Sequence, residues 1–132
     1  MNAENADRGQ PDRAAEGINL EAVLAIAGGD LHLLRELLGT FLAEIPRLVS
    51  AVDEAIERRN GETLEEAAHK LKGVVRYLQM DRAFELAHRL ELFGQQAGDW
   101  REAAAVFADL RLLIDSAICA LDGFIREPPQ PD

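Results

Sequence analysis

The sequence has a single cysteine, few aromatic residues and no long uninterrupted apolar stretch. One cysteine excludes an internal disulfide, and the position of Cys119 on an apolar helical segment predicts a buried thiol. No apolar run approaches the ~18 residues needed to cross a bilayer. The segment from Met1 to Gly17 is polar and lacks the pattern of a signal peptide. These absences predict a cytoplasmic protein that makes no contact with a membrane.

Basic residues are also in short supply. Lys and Arg number 14 against 24 Asp and Glu, which gives a formal net charge of -10. Because phosphate backbones are bound by clustered Lys and Arg, this balance argues against nucleic acid as a partner. The sequence contains no G-x-x-x-x-G-K-[ST] loop and no kinase-type glycine-rich segment, so no ATP site is expected.

What is abundant is helix-forming apolar sequence. Apolar residues make up 48% of the chain, and most are Leu, Ala, Val or Ile. Helical periodicity recurs from residue 20 onward, without the alternation typical of strands. The pattern predicts an all-α fold: an antiparallel four-helix bundle with a short additional N-terminal helix. Residues 1–16 are expected to be a flexible leader, 17–126 the bundle and 127–132 a flexible tail.

Residues that commonly cap or end helices mark the expected boundaries. Those that open helices are Asn19, Asp30, Asn60 or Thr63, Asp81 and Asp99, and those that end them are Gly28-Gly29, Asn60-Gly61 and Gly98. Thr63 competes with Asn60 because Glu66 follows it at capping-box spacing. The second helix is expected to run to about Arg59 and to bend at Pro46, which removes one backbone hydrogen bond.

One of the predicted helices has a histidine on its polar side. On a wheel of about 100° per residue, one set of apolar residues lies opposite His69. These residues are Leu64, Ala67, Ala68, Leu71, Val75 and Leu78. Glu65, Lys72, Gly73 and Arg76 cluster around His69 instead, within about 60°. A helix that starts near Asp81 carries a second polar set, Phe84, His88, Glu91 and Gln95, at helical spacing.

The residues around His69 are typical of a phosphoryl acceptor. A neutral imidazole offers a nitrogen lone pair for nucleophilic attack. One turn away, Lys72 can hold the oxygens of a transferred phosphoryl group as a point charge. Gly73 leaves room for a partner to approach, and a mid-helix glycine costs roughly 1 kcal/mol against alanine, which indicates a steric need.

The segment Ala68-His69-Lys70-Leu71-Lys72-Gly73 resembles the A-H-x-L-K-G signature of the histidine phosphotransfer (Hpt) domains of bacterial phosphorelays. The resemblance spans about residues 18–125. Further matching positions are Gly28-Gly29-Asp30, Phe41, Pro46 and Leu90-Glu91. Where the family has small residues and a later glycine, this sequence has Val74, Val75, Arg76 and Gln79.

The resemblance implies a monomeric phosphocarrier, not an enzyme. His69 would take a phosphoryl group on Nε2 from a receiver-domain aspartate and pass it to another receiver's aspartate. The receivers belong to response regulators or hybrid histidine kinases. They would supply Mg²⁺, so the bundle needs no cofactor or metal of its own. Lys72 would balance phosphoryl charge, and Gly73 would give access.

Related phosphotransfer domains of chemotaxis kinases place a glutamate twenty-two residues after the histidine, the position of Glu91 here. A carboxylate there would accept the Nδ1 proton of His69 and leave Nε2 free to attack. His88 also fits that cluster. Arg76, on the His69 side of its helix, is a candidate for contact with phosphate or with acidic residues of a receiver, or else for crowding the docking surface.

Three other interpretations are open at this point. In the first interpretation, His69 is an ordinary exposed histidine, and Lys72 and Arg76 are paired with nearby glutamates. Alternatively, the chain is an Hpt-like adaptor that binds receivers without carrying phosphate, which Arg76 and Gln79 keep open. In a third interpretation, His69, Glu65, His88 and Glu91 gather around a metal ion, although no H-E-x-x-H motif or cysteine pair supports this.

Overall fold

The computed structural model describes residues 18–96 and 98–126. Within these ranges the chain forms helices and turns and no strand. The helices are α1 (Leu20–Ile26), α2 (Leu31–Glu57), α3 (Gly61–Tyr77), α4 (Asp81–Gln96) and α5 (Trp100–Arg126). The four longer helices pack in a ring in chain order, with α5 returning to α2, while α1 contacts α2. The predicted all-α bundle with a short extra helix is confirmed. The expected leader, residues 1–16, and tail, 127–132, lie outside the described residues.

Side-chain caps open the helices close to the predicted positions. The Asn19 carboxamide accepts from the backbone of Ala22 at 3.0 Å, and the Asp30 carboxylate accepts from His32 at 2.9 Å. Asn60 caps α3 by accepting from the backbone N–H of Thr63 at 3.1 Å. Thr63 is therefore inside the helix, and the alternative start at Thr63 is wrong. These caps satisfy amide groups that have no partner within the helix.

Two other local predictions need correction. Asp81 does not cap α4 but is its first residue, because the Met80 carbonyl accepts the first helical bond from Phe84 at 2.9 Å. Cys119 is exposed, not buried. On α5 the core-facing residues include Ala117 and Leu121, and Cys119 lies two residues from each. A step of two residues turns a helix by about 200°, so the thiol faces outward.

The helical wheel of α3 is confirmed in three dimensions. Every residue placed opposite His69 is buried: Leu64, Ala67, Ala68, Leu71, Val75 and Leu78. Helix α2 continues through Pro46 as one element, as predicted, while the bend expected there stays a prediction. The core thus fixes the rotation of α3 about its axis, and that rotation points His69 away from the core.

Helices α3 and α4 approach so closely that their backbones touch near one end. A Cβ atom on Gly61 would lie 2.7 Å from the Gly94 carbonyl oxygen, and one on Gly94 would lie 2.6 Å from the Gly61 carbonyl oxygen. Neither position can hold a larger side chain at this spacing. This α3–α4 seam, the contact through Gly61 and Gly94 and the polar side chains beside it, positions the site described next.

Candidate functional site

His69 stands on the exposed side of α3, with one ring nitrogen fixed by α4. Its Nδ1 lies 2.8 Å from Oε2 of Glu91. A carboxylate can only accept at this distance, so Nδ1 carries the proton and donates it. The side chain of His69 is 65% exposed. Within residues 18–96 and 98–126 no side chain bonds Nε2. In the neutral ring this arrangement leaves the unshared electron pair on Nε2, on the exposed side of α3.

Glu91 is the most enclosed member of the site. Its side chain is 12% exposed, and Oε1 lies 2.6 Å from the ammonium group of Lys72. Burial by itself raises the pKa of the Glu91 carboxyl. Hydrogen bonds and charge attraction from Lys72 and His69 outweigh the burial and hold that pKa below its usual value. Glu91 is therefore an anion at neutral pH that ties α3 to α4.

His88 completes the cluster without touching His69. Its Nδ1 lies 3.3 Å from the ammonium group of Lys72 and 3.7 Å from Oε1 of Glu91. The shorter contact is the hydrogen bond, and since an ammonium only donates, His88 accepts through Nδ1. The ring of His88 also lies parallel to that of Phe84, at an interplanar angle of 5°. His88 thus helps to hold Lys72 in place.

The position of the Lys72 ammonium group bears on whether this cluster could bind a metal ion. The ammonium of Lys72 already lies between Glu91 and His88, at 2.6 and 3.3 Å from them, where a cation bound by both would have to sit. Among the described residues, no group of three or more His, Cys, Asp or Glu side chains is arranged to hold a metal ion. The contacts favour an internal ion-pair network over a metal centre.

Gly73 and Arg76 occupy the exposed side of α3 beyond His69. A Cβ added to Gly73 would meet no atom within 4 Å. Packing against the described residues therefore does not require glycine at that position. The guanidinium group of Arg76 lies over the Phe84 ring, 5.6 Å from its centroid, and Lys72 lies 5.8 Å from the same centroid.

An acidic hollow borders His69 on the opposite side. It is lined by Glu62, Glu65, Glu66, His69, Lys70 and Glu91. Glu65 accepts a hydrogen bond from the Gln95 carboxamide at 2.8 Å, which adds a second link between α3 and α4. His69 therefore lies at a boundary between acidic residues earlier in α3 and basic residues later in it.

Sequence reasoning placed Glu91 beside His69, where the structure also has it, but it missed the contact between Gly61 and Gly94 that brings the two helices together. Gly61 was interpreted only as a helix breaker, and Gly94 was not singled out. The sequence signal that could have found Gly94 is a glycine inside an amphipathic helix, which is the same signal that indicated a role for Gly73. Which glycine faces a neighbour depends on where that neighbouring helix lies.

Comparison with known proteins identifies the class of domain. The family model described as Hpt domain matches residues 36–118. The sensor protein EvgS of Escherichia coli strain K12 is 27% identical over 75 residues, which make up 57% of this chain and 6% of that protein. The sensor protein EvgS of Escherichia coli O157:H7 matches with the same identity and coverage. No solved structure matches the chain significantly. No helix in the described part of the chain is long and apolar enough to span a membrane.

Proposed function

Since this chain belongs to the Hpt domain family, whose members are phosphocarriers of phosphorelays rather than enzymes, we propose that it relays a phosphoryl group between receiver-domain aspartates through His69. The 2.8 Å contact between Nδ1 of His69 and Glu91 is the observation that carries the proposal. In the neutral ring it leaves the lone pair on Nε2, the nitrogen that Glu91 does not contact, as a nucleophile requires.

The proposed transfer step uses the lone pair on Nε2 of His69. The Nε2 lone pair attacks the phosphorus of a receiver's aspartyl phosphate, the N–P bond forms, and the P–O bond to the aspartate breaks. The aspartate leaves as a carboxylate with the bonding electron pair. The His69 ring keeps its Nδ1 proton and becomes cationic, and the Glu91 carboxylate stabilises that charge. Return to a second aspartate reverses each change.

The other residues act by charge, position and access. Lys72 lies one turn from His69 and would neutralise phosphoryl oxygens, while His88 holds its ammonium group at 3.3 Å. The open space beside Gly73 admits the partner. Phosphoryl transfer depends mainly on positioning and electrostatics, so such a set is sufficient without a cofactor in the bundle. The receiver supplies the Mg²⁺, and the phosphoryl group comes from it rather than from ATP.

The direct test uses purified protein and phosphorylated receiver domains encoded in the same genome. Wild-type protein should acquire a label that is acid-labile and alkali-stable, and His69→Gln should acquire none. His32→Gln is a matched control because His32 is also an exposed helical histidine, and it should label normally. Receiver binding without any label would replace the carrier with the adaptor. Chelator-sensitive hydrolysis of a small phosphate ester by this protein alone, with no receiver present, would favour a metal-dependent enzyme.

A second variant tests the role of Lys72. Lys72→Ala should slow transfer by about tenfold, because a positive charge near the phosphoryl oxygens is lost. The helix should still form, since the core-facing side of α3 is unchanged. Circular dichroism and single-turnover transfer separate the two effects, and loss of the helical signal would contradict the assigned orientation of Lys72.

A further inference from the structure

Arg76 is an exposed cation in an unusual setting. Among residues 18–96 and 98–126 no carboxylate forms an ion pair with it, and its contact is with the Phe84 ring at 5.6 Å. It borders a cleft that Gln79, Asp81 and Phe84 also line. The aromatic ring limits the freedom of the guanidinium group, so less entropy is lost when that group binds an anion.

The exposed side of α3 is electrostatically polarised along its length. Glu62 and Glu66 precede His69, and Arg76 follows it. Lys70 lies 4.0 Å from Glu66, and Lys72 is already paired with Glu91. Arg76 is therefore the cation of α3 that forms no ion pair with any of the described residues.

Helix stability alone accounts for only part of this pattern. Acidic residues near the start of a helix and basic residues near its end interact favourably with the helix dipole. That effect requires a positive charge near the end of α3, but not an aromatic ring beneath it.

We infer that Arg76, supported by Phe84, is a specificity-determining contact for an acidic side chain on the receiver surface next to the phosphorylated aspartate. The inference rests on the proposed function, because it takes the receiver as the partner. The glutamates on the other side of His69 repel the same acidic surface. Attraction by Arg76 and repulsion by these glutamates together orient the receiver with its acidic side toward the end of α3.

The experiment measures transfer from the same-genome receiver that phosphorylates wild-type protein fastest. At low salt, Arg76→Glu should lower kcat/KM by about tenfold and Arg76→Gln by about threefold, because rim charges act on the rate of association. Arg76→Lys keeps the charge and should fall between wild type and Arg76→Gln. The differences should shrink toward 1 M salt, where the screening length is about 3 Å.

Arg47→Glu is the matched control, because Arg47 is also an exposed arginine but belongs to α2, where it lies 4.0 Å from Glu44. It makes the same change in net charge and should leave kcat/KM within about twofold of wild type. An Arg76→Glu protein that behaves like Arg47→Glu would overturn the inference. A faster Arg76→Glu protein would also overturn it, since it would mean that arginine crowds or repels the receiver.

A small phosphoryl donor separates this inference from the proposed function. Phosphoramidate needs no docking surface, so Arg76→Glu should be labelled at His69 at the wild-type rate. Slow transfer from the receiver with normal labelling by phosphoramidate supports the docking role. Equal loss with both donors would refute it, because the defect would then lie in His69 or in the fold. Failure of wild-type protein to accept label from either donor would refute the proposed function itself, and the inference with it.

Discussion

The α3–α4 seam and the solvent-facing surface of the bundle use the same residue types under opposite conditions. At the seam, Gly94 leaves no room for a Cβ atom, whereas a Cβ on Gly73 would meet nothing within 4 Å. At the seam, the Glu91–Lys72 pair is 12% and 18% exposed, whereas the Glu54–Arg58 pair on α2 is 58% and 73% exposed. The comparison suggests that the burial and packing around a group, more than its residue type or contact distance, decide how much it contributes to stability.

The glycine half of the comparison predicts the largest effect on stability. Gly94→Ala would place a Cβ 2.6 Å from a backbone oxygen and 2.7 Å from the Glu65 nitrogen, so α3 and α4 must separate. We expect the free energy of unfolding to fall by about 3 kcal/mol. Urea titration measures the loss, and receiver transfer should decline as well, because separation of the helices moves Glu91 away from His69.

Gly73→Ala is the control for that substitution. It should raise the free energy of unfolding by about 0.5–1 kcal/mol, because alanine is the better helix former and has open space here. If Gly73 serves access, the same variant transfers phosphate more slowly despite its greater stability. Equal stability changes in Gly94→Ala and Gly73→Ala would break the distinction between seam and surface.

The next largest loss of stability is expected from substitution of Glu91, the ionised carboxylate at the seam. Glu91→Gln retains the shape but removes the charge between Lys72 and His69, which leaves Lys72 partly buried without its partner. We expect a loss of about 1–2 kcal/mol in the free energy of unfolding. Transfer should slow by about tenfold, because a neutral amide stabilises the cationic phosphorylated ring less well. Urea titration and single-turnover transfer measure the two losses, and wild-type values for both would contradict the role of Glu91.

The same residue predicts how stability changes with pH. The pKa of Glu91 is lower in the folded protein than the ordinary glutamate value of 4.5. The unfolded chain therefore binds the proton first as pH falls, and the Glu91 contribution is complete above pH 4.5 and is lost below it. His69, Lys72 and His88 are the ionisable groups that face this carboxyl. The stability difference between wild type and Glu91→Gln should shrink below that pH, and a constant difference would contradict the assignment.

Most of the fold could be predicted from sequence because local signals and core periodicity agree. The caps at Asn19, Asp30 and Asn60 and the buried side of α3 follow from rules that need no knowledge of neighbouring helices. Cys119 shows the limit of such rules. An apolar segment suggested burial, but the rotation of α5 about its axis placed that one side chain outside.

The site was less predictable because it depends on the relation between two helices. The resemblance to phosphotransfer domains of chemotaxis kinases implied Glu91 as a partner of His69, but it gave no reason for the distance between α3 and α4. The contact between Gly61 and Gly94 supplies that reason, and it becomes visible only when both helices are placed. The pairing of Lys72 with Glu91 and His88, rather than with glutamates of its own helix, likewise needs three dimensions.

A substitution in the turn between α3 and α4 is expected to stabilise the protein, by a smaller amount. Gln79 adopts a φ of 62° after α3, a conformation that glycine adopts more readily. Gln79→Gly should raise the free energy of unfolding by about 0.5–1 kcal/mol. Gln79→Ala keeps the Cβ atom and should show no gain in thermal melting, whereas an equal gain would mean that the turn is not strained.

The surface ion pair predicts the smallest effect and completes the comparison. The Glu54 carboxylate lies 2.9 Å from Arg58, nearly as close as Glu91 lies to Lys72 at 2.6 Å. Because water solvates both surface partners before and after the pair breaks, Glu54→Gln should change the free energy of unfolding by at most about 0.5 kcal/mol. Urea titrations of Glu54→Gln and Glu91→Gln under identical conditions compare the two pairs directly. A loss for Glu54→Gln as large as that for Glu91→Gln would mean that contact distance, not burial, sets the energy of these pairs. Burial at the seam would then not explain how His69 is held in place.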